Sequence, residues 1–378
     1  MFNKKNIMFL TDVLGQIGGA EQNLCQVARA LRNRGYSVII SCLAGGTVAE
    51  NLKNEGFDVH IFHLKKIYSS DGIRTLLELK RIIKTQRISV IICSHESSDF
   101  LGVALRLFTG IPVISNRRDM GFKLNRKHIW AYRLINRIFV RIVTVSFAVK
   151  QEIIKTQWVD ERKIAVIRNG VDFSLNETDD NKKILNELIG TTISDECVVI
   201  GCLANIKPVK GQIYLVEAAK ILKDEFTNFY VVFLGSCDDD KAYFDNITLK
   251  ISEYGLQKRI FFTGPVRKAL IPSVLMNLDI SVLPSLTEGM SNVILESMHA
   301  GLPVVATDVG GNPECVEPNR TGFLVPPKNP TALANELKKL ITSKSLRKKM
   351  GDSGACKVKK KFSEKVMIDH VETLLKGL

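Results

Sequence analysis

The chain has 378 residues, 24% of them charged and 45% hydrophobic, without a low-complexity tract. That composition excludes disordered, collagen-like and fibrous classes and suits about two to three globular domains. The net charge of +14 is uneven: residues 1–173 carry 27 Lys+Arg against 14 Asp+Glu, and residues 174–378 carry 26 against 25. So +13 falls in the first half and +1 in the second, an asymmetry that points to a polyanionic partner, nucleic acid or membrane.

Apolar runs of strand length alternate with helical patterns. Asn6–Leu10 reads as a strand, a glycine loop follows, and a helix runs from about Ala20 to Arg34. Further strands are expected at Tyr36–Leu43, Phe57–Phe62, Ser89–Cys93, Val113–Ser115, Ile142–Val145 and Ile164–Ile167. Helices are expected at Ile73–Thr85, Ser97–Phe108 and, in a basic stretch, about Arg126 to Phe139. A polar segment begins at Asn169 and continues through Asp179, Asp180, Lys182 and Lys183. The pattern then restarts with strands at Val198–Leu203, Phe229–Gly235, Ile260–Thr263, Ile280–Leu283, Val304–Ala306 and Phe323–Val325, again alternating with helices. Buried strands alternating with helices imply a parallel sheet covered on both faces. The expectation is therefore α/β: two Rossmann-like, doubly wound parallel-sheet domains facing a cleft, with ligands at the carboxyl ends of the strands.

No run reaches the roughly 18 apolar residues of a membrane-spanning helix. The apolar run after Lys4 and Lys5 stops at Asp12, too short for a signal peptide. The eight cysteines form no CxxC pair and mostly sit in apolar runs, which fits small buried hydrophobes in a reducing cytoplasm rather than zinc or disulfides.

The residues that carry chemistry follow predicted strands. The first loop holds Gly15, Gly18 and Gly19 ahead of a helix N-terminus, a place that favours anions, although a structural turn explains it too. Its spacing is not GxGxxG, and Ser41 and Cys42 stand where a ribose-binding acid would end the second strand, which weakens a nicotinamide-dinucleotide reading. His95 follows the fourth strand, placed to bond a hydroxyl, to act as acid or base, or merely to cap a helix. Arg117 and Arg118 end the fifth strand, suited to phosphate or carboxylate, or to a salt bridge with Asp119. In the second half, Lys207 and Lys210 flank a helix start where a diphosphate would be met. After Pro284 come Glu288, then Gly289, Met290, Ser291 and Asn292 at a helix N-terminus, with Ser291 a candidate N-cap and Glu296 further in. Backbone N–H groups there make an anion site, and a carboxylate can accept from the two hydroxyls of a ribose.

Glu288 and Glu296 form Glu-x7-Glu within Glu-Gly-Met-Ser-Asn-Val-Ile-Leu-Glu-Ser-Met. With Gly301-Leu-Pro-Val-Val, Gly310-Gly311, Gly322-Phe-Leu-Val, Gly18-Gly19-Ala20-Glu21, Ile167-Arg-Asn-Gly-Val-Asp172 and Lys-Pro-Val-Lys-Gly211, the chain closely resembles the retaining glycosyltransferases of family 4 over almost its whole length. The resemblance implies a GT-B fold: an acceptor domain at 1–172, a nucleotide-sugar domain at 173–361, and a helix at 362–378 packing back on the first. It implies that Glu296 takes the ribose, Glu288 the sugar and Lys210 the diphosphate, with Gly18 and Gly19 approaching the leaving group. Lys207, Gly289, Met290, Ser291 and Asn292 complete the donor set. His95 and Arg118 join Glu288 and Lys210 as candidate catalytic residues. It implies no cofactor and no metal, and no cleft-placed Asp-x-Asp pair appears in the sequence. Two departures are visible: Arg117 and Arg118 stand where many members carry a histidine, and Cys202 stands where many have Gly-Arg.

Residues 117–141 hold Arg117, Arg118, Lys123, Arg126, Lys127, Arg133, Arg137 and Arg141 against the single acid Asp119. If the helix extends far enough, Arg133, Arg137 and Arg141 share one face, which would dock on anionic lipid or on a phosphate-bearing acceptor; a solvated helix face is the plain alternative. No basic patch interleaved with aromatics appears, which argues against nucleic acid. The expected activity is transfer of a hexose or N-acetylhexosamine from a nucleotide-diphosphate sugar, UDP-sugars favoured, to a lipid-linked saccharide acceptor for surface polysaccharide or lipopolysaccharide. The expected location is the cytoplasm, peripheral to the inner face of the membrane. The alternatives are a GT-B nucleotide-sugar epimerase and a noncatalytic nucleotide-sugar-binding protein.

Overall fold

The computed structural model describes residues 5–15, 18–121, 124–172, 182–194 and 196–378. It divides into two compact units, Met1–Asn169 with Lys365–Leu378, and Gly170–Glu364.

Unit 1 runs β1 (Asn6–Leu14), α1 (Gly19–Asn33), β2 (Ser37–Gly45), α2 (Thr47–Asn54), β3 (Asp58–Ile61), α3 (Ser70–Thr85), β4 (Val90–Ser94), α4 (Glu96–Thr109), β5 (Val113–Arg117), α5 (Arg126–Ile135), β6 (Arg141–Thr144), α6 (Phe147–Gln157) and β7 (Ile164–Val166). The strands form one parallel sheet in the order β3-β2-β1-β4-β5-β6-β7. The order reverses between β1 and β4, so the loops leaving those two strands part to opposite faces and open a crevice at their carboxyl ends. The central strands are mostly apolar because helices cover both faces, with polar residues gathered toward their carboxyl ends (Thr11 and Asp12 on β1, Asn116 and Arg117 on β5); β4 is buried at every position.

Unit 2 runs α7 (Lys182–Ile189), β8 (Val198–Leu203), α8 (Gln212–Lys223), β9 (Phe229–Leu234), α9 (Lys241–Glu253), β10 (Ile260–Phe262), α10 (Ile271–Leu275), β11 (Ile280–Leu283), α11 (Asn292–His299), β12 (Val304–Thr307), α12 (Asn312–Cys315), β13 (Gly322–Val325), α13 (Pro330–Thr342) and α14 (Lys344–Lys361). Its parallel sheet has the order β10-β9-β8-β11-β12-β13, with the reversal between β8 and β11. Phe229, Phe233, Leu215 and Leu337 anchor its core, each side chain contributing about 1.5–3 kcal/mol on burial.

The last helix, α15 (Glu364–Lys376), lies in unit 1 from Lys365 onward. Met367, Ile368, Val371 and Leu375 enter the unit 1 core beside Leu24, Val27 and Ile167. Arg34 pairs with Asp369 and Glu372, Tyr36 donates to Glu372, and Lys5 Nζ donates to the Leu375 carbonyl at 2.6 Å.

Helices α2 and α12 were not expected, β1 runs on to Leu14 rather than Leu10, and three further elements differ from the sequence-based expectation. The basic helix α5 ends at Ile135 rather than near Phe139, because Phe139 is drawn into the core at the approach to β6. Helix α6 follows β6 unforeseen, capped by the Ser146 hydroxyl accepting from Val149 N–H. Helix α7 begins at Lys182, where a polar segment was expected; its Ile184, Leu185 and Leu188 pack on Val199 and Val274. The rest of that segment, 173–181, lies outside the described residues.

Candidate active site

In unit 2 the loops after β8 and β11 are stitched together at the reversal point. Leu286 N–H donates to the Val209 carbonyl at 2.8 Å. Gly211 has φ +66°, and a Cβ on it would stand 2.1 Å from the Pro284 carbonyl oxygen, so only glycine lets the two loops approach. This places Lys210 Nζ 2.7 Å from Glu288 Oε1, the oxygen that also accepts from Ser285 Oγ at 2.7 Å. Ser285 is fully buried and its carbonyl accepts from Thr307 Oγ1. The Glu288 backbone is pinned from the other side: Gly311 N–H donates to its carbonyl at 3.3 Å, and a Cβ on Gly310 would lie 1.6 Å from the same oxygen. The conspicuous Gly310-Gly311 pair is thus explained by the carboxylate it positions.

Helix α11 starts just beyond. The Ser291 hydroxyl accepts from Ile294 N–H at 3.4 Å as its N-cap. Gly289 and Met290 are buried against this turn, Asn292 opens the helix, and Glu296 is half-buried further along it. The first N–H groups of a helix have no partner within it and aim positive charge beyond the terminus. Lys207 is half-exposed and lies 3.1 Å from Asp239, in the loop after β9. Lys210, Glu288 and the start of α11 therefore converge, and Lys207 stands at the neighbouring strand end with a carboxylate of its own.

In unit 1 the reversal point between β1 and β4 holds His95. Its backbone has φ +78° and ψ 173°, a region essentially reserved for glycine, which for a histidine costs about 1–3 kcal/mol. Neighbours impose this geometry. The Asp12 carboxylate accepts from Ser97 N–H at 3.0 Å and Ser98 N–H at 2.7 Å, capping α4 from β1. His95 Nδ1 meets Thr11 Oγ1 at 3.1 Å, and its Nε2 lies 3.9 Å from Glu21 Oε1. The other Glu21 oxygen accepts from Gly18 N–H at 3.1 Å, tying the glycine loop to the histidine; Gly19 begins α1. The sequence reading singled out His95, Gly18 and Gly19 but missed Asp12 and the bridging role of Glu21, whose only local signal is its place three residues after an N-cap.

The two arginines at the end of β5 separate to opposite faces. Arg117 is 10% exposed and is a structural hub, which corrects its assignment to a membrane or acceptor surface. It lies 3.3 Å from Asp99, donates to Ser115, Asn136 and Gln157, and stacks 4.1 Å from the Tyr132 ring centre. Its carboxylate partner is Asp99 on α4, not Asp119. Burial raises Asp99 to about 6 despite Arg117, Ser115 and Tyr132. Arg118 turns to the other face, bonds Asn169, and lines a small cavity with Asn23, Ser94, Asn116 and Met367. Desolvation lowers it to about 10, so it remains cationic at neutral pH.

Arg133, Arg137 and Arg141 do not share a helical face, because α5 stops at Ile135 and Arg141 opens β6. Arg126, Lys127 and Arg137 are exposed, and Arg133 donates to the Thr156 carbonyl at 2.9 Å. Lys123 lies outside the described residues.

Comparison with known proteins identifies the family. Residues 190–356 match the family Glycosyl transferases group 1, and residues 17–175 match Glycosyltransferase Family 4. A capsular polysaccharide biosynthesis glycosyltransferase of Staphylococcus aureus, CapM, is 29% identical over 62% of this chain and 60% of its own length. The UDP-Gal:alpha-D-GlcNAc-diphosphoundecaprenol alpha-1,3-galactosyltransferase of Escherichia coli is 25% identical over 87% of this chain and 86% of its own. The crystal structure of Anabaena Alr3699/HepE in complex with UDP and glucose superposes with a TM-score of 0.88 at 21% identity, covering 99% of this chain and 100% of that one. The chain belongs to the group 1, family 4 glycosyltransferases and has their GT-B fold.

Proposed function

We propose that the chain transfers a hexose or N-acetylhexosamine, with retention at the anomeric carbon, from a nucleoside-diphosphate sugar to a lipid-linked saccharide in surface polysaccharide or lipopolysaccharide assembly. UDP-sugars are the favoured donors. It acts from the cytoplasm at the inner face of the membrane. The observation that carries the reading is the Lys210–Glu288 pair, fixed by two interlocked loops beside the start of α11. The names of the S. aureus and E. coli relatives support the polysaccharide and lipid-linked parts.

The chemistry follows from charge. The bond from anomeric carbon to diphosphate oxygen breaks with its electron pair passing to the diphosphate, the acceptor hydroxyl oxygen bonds to the anomeric carbon in its place, and the hydroxyl proton passes to the departing diphosphate. Negative charge thus grows on the diphosphate. Lys210, Lys207 and the N–H groups of Ser291 and Asn292 are fixed donors for that charge, and no metal is needed in this scheme. Before donor arrives, Glu288 neutralises Lys210; a diphosphate competes for the ammonium and frees a carboxylate oxygen, still held by Ser285, to accept from a sugar hydroxyl. Glu296 holds the ribose hydroxyls. In unit 1, Gly18 and Gly19 serve the leaving group, and His95 and Arg118 serve the sugar or acceptor hydroxyl.

A thermal-shift screen of nucleotides and nucleotide-sugars tests the donor assignment, because a ligand at 100 times its Kd stabilises by about 2.7 kcal/mol. UDP and at least one UDP-sugar should raise Tm; no response to any nucleoside diphosphate overturns the reading. NMR of the product anomer with the responding donor tests retention.

A further inference from the structure

The chain contains two tryptophans, Trp130 and Trp158, and both are exposed on one patch of unit 1. Trp130 lies on α5 and is 57% exposed; Trp158 ends α6 and is 65% exposed. Their rings meet edge-on at 5.9 Å. The Arg133 guanidinium sits 3.8 Å from the Trp158 ring centre and 5.0 Å from that of Trp130, held by its bond to Thr156. Leu134, one turn beyond Trp130, is 70% exposed. Trp158 has φ +53°, a helix-ending conformation usually given to glycine, so a bulky aromatic is displayed where a small residue would fit the backbone better.

The cations around these side chains complete the pattern. Arg126 lies one turn before Trp130 on α5, Lys127 is adjacent to it, and Arg137 follows in the turn after the helix; all three are exposed, and α5 has no acidic residue. Single exposed apolar side chains are ordinary. Here two tryptophans meet and Leu134 lies one turn from Trp130, with exposed basic residues on α5 and just after it; the exposed acids just past Trp158, Asp160 and Glu161, are paired with Arg162 and Lys150. Tryptophan favours the headgroup level of a bilayer, and Lys or Arg beside it meets lipid phosphate. A base-stacking platform fits less well, because Arg133 already covers the Trp158 ring.

We infer that α5 and the end of α6 form an interfacial anchor for an anionic bilayer. Trp130, Leu134 and Trp158 enter the headgroup region, and Arg126, Lys127 and Arg137 contact lipid phosphates. This deepens the proposed function, resting on a lipid-carried acceptor, by naming the surface that brings the enzyme to it.

The chain carries its own probe, since every tryptophan signal originates in this patch. With vesicles of phosphatidylglycerol and phosphatidylethanolamine, emission of the full chain should shift to shorter wavelength and be quenched by lipids brominated on the acyl chain. Pure phosphatidylcholine vesicles should do neither. Each cation removed should weaken cosedimentation about fivefold at low salt, so the triple variant Arg126→Gln, Lys127→Gln, Arg137→Gln should lose about two orders of magnitude. Trp158→Gly, which suits the backbone, should also weaken it and serves as the variant that keeps the fold. An unshifted spectrum overturns the inference, as does cosedimentation unchanged in both variants, or a shift produced by a short RNA or an acidic protein and not by vesicles. A nucleotide thermal shift measured in parallel keeps the two readings apart: its loss with vesicle binding intact counts against the donor assignment, and the converse counts against this surface.

Discussion

In unit 2 the cations at the sheet reversal are matched: Lys210 lies on Glu288 and Lys207 on Asp239. At the other end of that sheet Arg347 lies on Asp279, and Lys357 on Glu317. In unit 1 the treatment is split. Arg117 is buried with Asp99 in a network joining α4, β5, α5 and α6, whereas Arg126, Lys127 and Arg137 stand exposed on and just after a helix without an acid. The difference shows why a net charge is a poor guide to a site. The nearly neutral unit holds Lys210 and Lys207 against carboxylates, pairs that the proposed diphosphate would have to exchange. The basic unit uses Arg117 and Arg118 in its interior and leaves others outside, where the proposed bilayer surface would meet them.

The sharpest way to break this contrast is Arg117→Ala. It strands the Asp99 carboxylate, so denaturant unfolding of unit 1 should lose about 3–5 kcal/mol. An unchanged midpoint would make the network idle. Next, Lys210→Ala should reduce turnover by about 10²–10³, read as nucleotide release, with unfolding little changed. Full activity would remove the exchangeable pair from the mechanism. A smaller effect isolates backbone strain: His95→Gly should exceed His95→Ala in stability by about 1–3 kcal/mol, the reverse of an ordinary position, while both variants lose the imidazole. The smallest effect is in pH dependence. Asp99 binds its proton more tightly folded, at about 6, than unfolded, near 3.9, so its contribution to stability falls as pH rises from about 4 to 6. Asp99→Asn should lack that slope, and its stability relative to the parent should improve across the same window.

The strands were legible because a strand buried on both faces is an apolar run, as in Val90–Ser94 and Ile280–Leu283. The placement of Lys210, Glu288 and Ser291 was legible because it is local: Lys210 and Glu288 each follow a strand, and Ser291 caps a helix. What sequence could not supply was pairing at a distance. Arg117 sits two residues from Asp119 yet chooses Asp99, because only the sheet brings α4 beneath β5. The end of α5 was misplaced because no glycine or proline marks it; tertiary burial of Phe139 does. Trp130 and Trp158 are 28 positions apart in the sequence, and nothing local joins them.

The return of the chain to unit 1 has a consequence for how the protein comes to be folded. Unit 2 is continuous, so all its strands and helices are available once residue 364 has been made. Unit 1 is not: Met367, Ile368, Val371 and Leu375 are made after unit 2, yet pack against Leu24 and Val27. During synthesis, the earlier-made unit must wait with its core open until the later one is complete. The usual N-terminal-first order of domain folding is thereby inverted for this part of unit 1, and the apolar face of α1 that receives α15 stays uncovered until then.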